Sequence, residues 1–256
     1  PLNSPSLGMT DLSALPARFF SSIKFNDGVS KSPHSGGASG VLSLQNSRKN
    51  ETAVHAVFTI NQFMNLRSGA GFNIPAGKCF LDASMQWEEL ANEFSYEDPY
   101  KHSAPTEVQQ HNDFSRRAIR LGFYTPAQRK IEGEVHAWVQ NSVLQLPEPL
   151  GSYGSSLATQ RDSSVRLVGQ LSSRFEKSTI AIKGAYFIEN QHYTDRMSED
   201  MTPYIDSKIR TDRVYGKAEY QRYGEAWVFN SAFVLNRESA QSNNYSTHES
   251  SRILYG

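Results

Sequence analysis

Cysteine is almost missing from this sequence: 256 residues hold one, Cys79. A lone thiol excludes an intrachain disulfide framework and a zinc centre built on several cysteines. No His or Asn accompanies it in a recognisable motif, so Cys79 reads as a small residue near the start of a strand. An excess of either charge is missing too, with 26 Lys and Arg against 26 Asp and Glu. No basic patch points to nucleic acid, and no run of like charge points to a solvated tail. Long apolar runs are also lacking; nothing approaches the ~18–20 consecutive residues of a membrane helix. That shortage leaves transmembrane strands open, because a barrel strand needs an apolar residue only at every second position. The hydrophobic fraction is low at 38%, yet Phe, Trp and Tyr make up 11%, too aromatic for a disordered chain. The chain starts at Pro1 without a Met or a signal peptide and stops within the strand-like stretch 253–256. Both ends are read as truncations.

What is present is alternation. Residues 1–40 are rich in Ser, Gly and Pro, and after Glu51 the character changes to strand-like segments of about ten residues. In 79–89, Leu81, Ala83, Met85 and Trp87 oppose Phe80, Asp82, Ser84, Gln86 and Glu88. In 117–124, Ile119, Leu121 and Phe123 oppose Ala118, Arg120, Gly122 and Tyr124. Val135, Ala137 and Val139 oppose Glu134, His136, Trp138 and Gln140, and Val165, Leu167 and Leu171 oppose Arg166, Val168, Gln170 and Ser172. Segments 179–189, 210–220 and 225–236 alternate less cleanly. Short turns are expected at 75–78, 125–130, 174–178 and 221–225, and long polar connections at 90–112, 146–163, 190–208 and 237–249. Short and long alternate, as on the two rims of an up-and-down barrel in an outer membrane. A soluble sandwich has no reason to sort its loops in this way. Its solvated face would, however, carry the same polar residues. Trp87, Tyr124 and Tyr220 stand near segment ends, where interfacial aromatics belong.

Catalytic spacings do not occur. The seven histidines form no His-x-x-x-His or His-Glu-x-x-His pair, and there is no Gly-x-Ser-x-Gly elbow. A phosphate loop is excluded because no Lys-Ser or Lys-Thr follows the glycines and no helix opens there. No catalytic residue, metal ligand or cofactor is expected.

Two motifs narrow the reading. Asp11-Leu12-Ser13-Ala14-Leu15-Pro16 runs through Phe19-Phe20-Ser21-Ser22-Ile23-Lys24 to Gly36-Gly37-Ala38-Ser39-Gly40-Val41-Leu42-Ser43-Leu44. This resembles the end of the plug in TonB-dependent outer-membrane receptors, where a Gly-Gly-x-x-Gly strand closes the plug before the barrel begins. Asn92-Glu93-Phe94-Ser95-Tyr96 resembles the element that opens the first long extracellular loop in cobalamin-receptor-like members of Bacteroidota type. Where the family often has Tyr-Gly-Ser-Gly before the glycine pair, this chain has Pro33-His34-Ser35.

The resemblance implies an all-β chain: the C-terminal part of a plug over 1–46, then an antiparallel up-and-down transmembrane barrel over 51–256. It implies about ten of the roughly 22 strands of a plugged transporter. It further implies energised uptake of a scarce large ligand, such as cobalamin or an iron-siderophore. TonB, outer-membrane lipid and that ligand would be the partners, and the outer membrane the location. Gly36, Gly37 and Gly40 are then plug-closing glycines, and Phe94, Tyr96 and Tyr100 candidate ligand contacts on the long loop. A smaller outer-membrane channel and a soluble β-rich glycan-binding module are the alternatives.

Overall fold

The computed structural model describes residues 15–26, 41–45, 51–100, 103, 106–126, 130–148, 156–199, 201–244 and 249–255. A single 3-10 turn, Ala17–Phe19, opens them, closed by a bond from Phe19 N to Pro16 O at 2.9 Å. Two short strands, β1 (Ser22–Asn26) and β2 (Val41–Gln45), then pair antiparallel, with Ile23 opposite Leu44. The expected strand after the glycine cluster is therefore present as β2. Gly36, Gly37 and Gly40 themselves lie outside the described residues.

The rest is dominated by one sheet. Its strands are β3 (Ala53–Ile60), β4 (Leu66–Ala76), β5 (Cys79–Leu90), β8 (Phe114–Tyr124), β9 (Ile131–Leu146), β10 (Ala158–Arg174), β11 (Ser178–Asp195), β12 (Ile205–Tyr223), β13 (Val228–Ser242) and β14 (Glu249–Tyr255). Between β5 and β8 a separate hairpin forms from β6 (Ser95–Glu97) and β7 (Thr106–Val108). The ten strands stand in sequence order and every neighbouring pair is antiparallel. No pairing joins β3 to β14 among the described residues. No described helix is long and apolar enough to cross a membrane, which says nothing about strands.

The connections sort by rim. Residues 77–78, 125–130, 175–177 and 224–227 link strands on one rim; 61–65, 91–113, 147–157, 196–204 and 243–248 link them on the other. The tightest is the turn at Gly77, whose φ of +66° favours a residue without a β-carbon. The structure corrects the expected lengths of three long connections. β10 begins at Ala158, β11 runs on to Asp195 and β13 to Ser242. The apolar face stops before these strands do. Asn190 and His192, with Ser163 and Arg161 opposite them, continue the ladder on that face with polar side chains, and Gln191 opposite Asp162 does so on the other.

The two faces have opposite surroundings, and it is the polar one that is covered. In β8, Arg116, Arg120 and Tyr124 are buried while Arg117, Ile119, Leu121 and Phe123 are exposed. Neighbours Ile119 and Arg120 are 58% and 7% exposed. The same inversion runs through β5, where Gln86 and Glu88 are buried and Met85 and Trp87 exposed, and through β10, where Arg166 is buried and Val165 and Leu167 exposed. In β12, Arg213 and Lys217 are buried while Val214 and Tyr220 are exposed. Tyr124 departs from expectation. It lies on the polar face, with its hydroxyl donating to Asn73 Oδ1 at 2.8 Å and its ring stacked on Phe80, so it is no outward interfacial residue.

Candidate functional site

The polar face can be built up strand by strand. Period-2 geometry sends Asp82, Ser84, Gln86 and Glu88 of β5 to the same side as Arg116 and Arg120 of β8. The register then sets Ser84 opposite Arg120 and Glu88 opposite Arg116. Each arginine meets an acid across the strands. Arg116 Nε donates to Glu88 Oε2 at 2.7 Å, and Arg120 Nη2 donates to Asp82 Oδ1 at 2.6 Å. Further along, Arg166 Nε donates to Glu189 Oε1 at 3.0 Å, Arg213 Nε lies 3.1 Å from Glu238 Oε1, and Lys183 Nζ lies 3.4 Å from Glu219 Oε2. Glu219 also pairs with Lys217. Unpaired ions here would be strongly destabilising, and cross-strand pairing is the arrangement that offsets their desolvation.

One segment packs on this face. Leu15 and Phe19 form the core cluster with Ala118 and Trp138, and Phe20 and Leu44 pack against it. Phe19 and Phe20 meet the Trp138 ring edge-on, with centroids 6.2 Å and 5.6 Å away. Arg166 covers Trp138 at 4.4 Å from its centroid. Arg120 is the polar link: its second terminal nitrogen, Nη1, donates to the Phe19 carbonyl, and its guanidinium stands 5.6 Å from the Phe19 ring. A tilted aromatic pair and a cation over an indole add to area burial. Beside the segment lies a cavity of about 140 Å³, bordered by Arg18, Phe20, His55, Asn73, Asp82 and Tyr124. His55 lies over Gly71, where an added β-carbon would come within 2.6 Å of its ring and 2.7 Å of the Ala83 carbonyl oxygen.

The candidate ligand contacts are only partly assembled. Phe94 and Tyr96 come together, with ring centroids 6.3 Å apart, and the Tyr96 hydroxyl lies 3.5 Å from Glu107 Oε2 across the β6–β7 hairpin. Tyr100 is 72% exposed and makes no ring contact with that pair among the described residues. Its amide is held by Asp98 Oδ1 at 3.0 Å, an Asx turn. The base of the connection is firmer than its tip. Asn92, at φ +50°, accepts from Asn65 Nδ2 at 3.1 Å and donates to the Asn112 carbonyl at 3.0 Å. His111 Nε2 donates to the Ala158 carbonyl at 2.8 Å, tying the connection to the start of β10. The next connection on this rim closes similarly. Buried Asp195 accepts from Ser156 and from the Tyr204 hydroxyl, and that bond holds the Tyr204 phenol above its ordinary pKa.

Alternation had placed Arg120, Glu134, His136 and Arg166 on one face. It carried no signal that Leu15–Phe20 would pack on that face against Arg120, Ala118 and Trp138. A Leu-Pro followed by two phenylalanines, ahead of a sheet whose buried side is polar, was the nearest hint. No group of three or more His, Cys, Asp or Glu side chains converges as a metal site among the described residues. No protein-family model matches this chain, and no curated protein matches it.

Proposed function

We propose that this chain belongs to a TonB-dependent outer-membrane receptor. Its ten-stranded sheet is part of the transmembrane wall, and its first residues are part of the plug. The observation that carries this is the inverted polarity of the sheet: paired ions on the covered face and an exposed apolar band on the other. In water such a band would be a liability. In a bilayer it is the required surface. Its height supports the reading. Ile180, Ile182, Tyr186 and Ile188 share the apolar face of β11. Eight residue steps at ~3.3 Å each give ~26 Å along the strand. A tilt of ~40° reduces that to ~20 Å between terminal α-carbons, and the side chains extend it towards the ~25 Å of a barrel's apolar band. Trp87 at one margin and Tyr220 and Phe229 at the other are exposed, as interfacial aromatics are.

The remaining assignments follow from the motif resemblance. The protein takes up a scarce, large ligand such as cobalamin or an iron-siderophore, without chemistry of its own. TonB engages the plug, and Leu15–Phe20 is the part of the plug that rests on the wall. The test is growth of a strain lacking the gene, with cobalamin or an iron-siderophore as the limiting nutrient. Growth restored by the intact gene, and only in a TonB-competent background, is the expected result. Ligand-limited growth that needs neither the gene nor TonB would refute it.

A further inference from the structure

The apolar face changes character in steps as it approaches the rim of long connections. On β9, β10 and β11 the row Val139, Val165 and Ile188 is apolar, each residue opposite the next, and on β12 and β13 it continues as Asp212 and Ser239. One step towards the rim, the same face carries Asn141, Ser163, Asn190, Arg210 and Gln241 in register. One step further, beside Val143 of β9, stand Arg161, His192 and Lys208. These last two rows border a cavity of about 790 Å³. On β10 and β11, hydrocarbon (Val165, Ile188), then a hydroxyl and an amide (Ser163, Asn190), then Arg161 and His192 therefore follow one another along the strands.

We infer that this margin binds a phosphorylated glycolipid of the surrounding leaflet. The inference rests on the membrane reading above. The acyl chains would lie along the apolar rows, the sugar hydroxyls and amides on the Asn and Gln row, and a phosphate on Arg161. The charges at the site select that contact. Lys208 lies 3.5 Å from Asp206, and Arg210 lies 3.1 Å from Asp212. His192 Nε2 is 2.7 Å from Asp206 Oδ1. The acids thus engage three of the four nitrogen-bearing groups. Arg161 is exposed and has no ion pair or hydrogen bond from its side chain among the described residues. A planar guanidinium with five donors suits a phosphate better than it suits a lone solvated position. Lys208, one strand beyond His192, is within reach of a second anionic oxygen at the cost of a 3.5 Å pair. The order of the tiers on β10 and β11 distinguishes this ligand from a free anion, which would need the cations but neither of the rows beneath them.

The experiment uses the full chain refolded in detergent and stripped of lipid. A diphosphorylated, acylated glucosamine disaccharide is titrated in and retained adducts are read by native mass spectrometry. Phosphatidylcholine and inorganic phosphate are titrated in parallel. The wild type should retain the glycolipid, and Arg161→Gln combined with Lys208→Gln should raise its half-saturation about tenfold, as loss of a charge-assisted bond does. Lys177→Gln, in a turn on the opposite rim, should change nothing. Equal retention by wild type and double variant, equal retention of phosphatidylcholine, or displacement by millimolar phosphate would each overturn the inference. Entry of the wild type into vesicles is measured alongside. A wild type that fails to enter removes the membrane reading itself; one that enters and binds as the double variant does removes only the glycolipid site.

Discussion

Leu121→Arg asks the sheet directly which side meets lipid. Leu121 lies on the apolar face of β8, opposite Ala83 on one neighbour and Ala137 on the other, and is 52% exposed. If that face meets water, an arginine there loses little contact and the change should stay within ~0.5 kcal/mol, as surface substitutions do. If it meets hydrocarbon, the cost at mid-membrane is ~2–4 kcal/mol. The two readings therefore differ by at least ~1.5 kcal/mol, about a tenfold shift in the folding equilibrium. The strand supplies its own depth control. Arg117 is on the same face, near the long-connection rim, 5.7 Å from the Trp87 ring and 3.8 Å from Glu89. Arginine at that level is therefore tolerated, and Ser115→Arg, one step nearer the rim on the same face, should cost ~0–1 kcal/mol. Urea titration of folding into vesicles, read by tryptophan emission, measures all three proteins. Equal midpoints for Leu121→Arg, Ser115→Arg and the wild type would refute the assignment of the apolar face to lipid.

Arg120→Met should cost ~3–5 kcal/mol, because it leaves Asp82 and the Phe19 carbonyl without their donor on a covered face; protease cleavage within 15–20 should then precede loss of the sheet's circular dichroism. Gly71→Ala should destabilise by ~1–3 kcal/mol, because the new carbon meets a backbone oxygen. Gly216→Ala, which has nothing within 4 Å, should leave the urea midpoint unchanged. Asn92→Ala gives up the left-handed position and its bonds to Asn65 and Asn112, and hydrogen exchange across 91–113 should accelerate while the sheet stays protected. Changing Phe94, Tyr96 and Tyr100 together to Ala should weaken ligand uptake at normal surface expression; unchanged affinity would remove this connection from the binding surface.

Strand identity and face were legible because alternation is a local property. Ile119, Leu121 and Phe123 declare one side of β8 without knowledge of any neighbour, and the sorting of loop lengths gave the neighbour order. Strand ends were less legible for the same reason. Beyond Ile188 the apolar signal stops, although the ladder continues through Asn190 and His192 to Asp195. Hydrogen bonding needs no apolar residue, so periodicity ends where the apolar face ends rather than where the strand does. The β6–β7 hairpin was not foreseen, since three-residue strands are too short to show a period. Tyr124 illustrates a third limit. Its position near a segment end is right for an interfacial ring, but its face is set by its odd spacing from Phe123, and that puts it beside Asn73.

The covering of the polar face by Leu15–Phe20 is the least local feature, and it shows what the paired ions contribute. A buried ion pair is weak support for stability, because desolvation takes back much of its attraction. Apolar residues at Asp82 and Arg120, which stand beside Phe19 and Phe20, would give a tighter contact with the segment. Among the described residues, the contact consists of Leu15, Phe19 and Phe20 on Ala118 and Trp138, and of Arg120 on the Phe19 carbonyl. Arg120 keeps Asp82 as a partner whether or not Phe19 is present, so moving Phe19 away breaks the Arg120–Phe19 bond and uncovers Trp138 without stranding that charge. A wall whose ions satisfy one another can be wetted after the segment leaves, whereas an apolar wall would resist both release and wetting. On the proposed reading, this is the surface a plug must rest against if pulling on it is to open a path for a ligand.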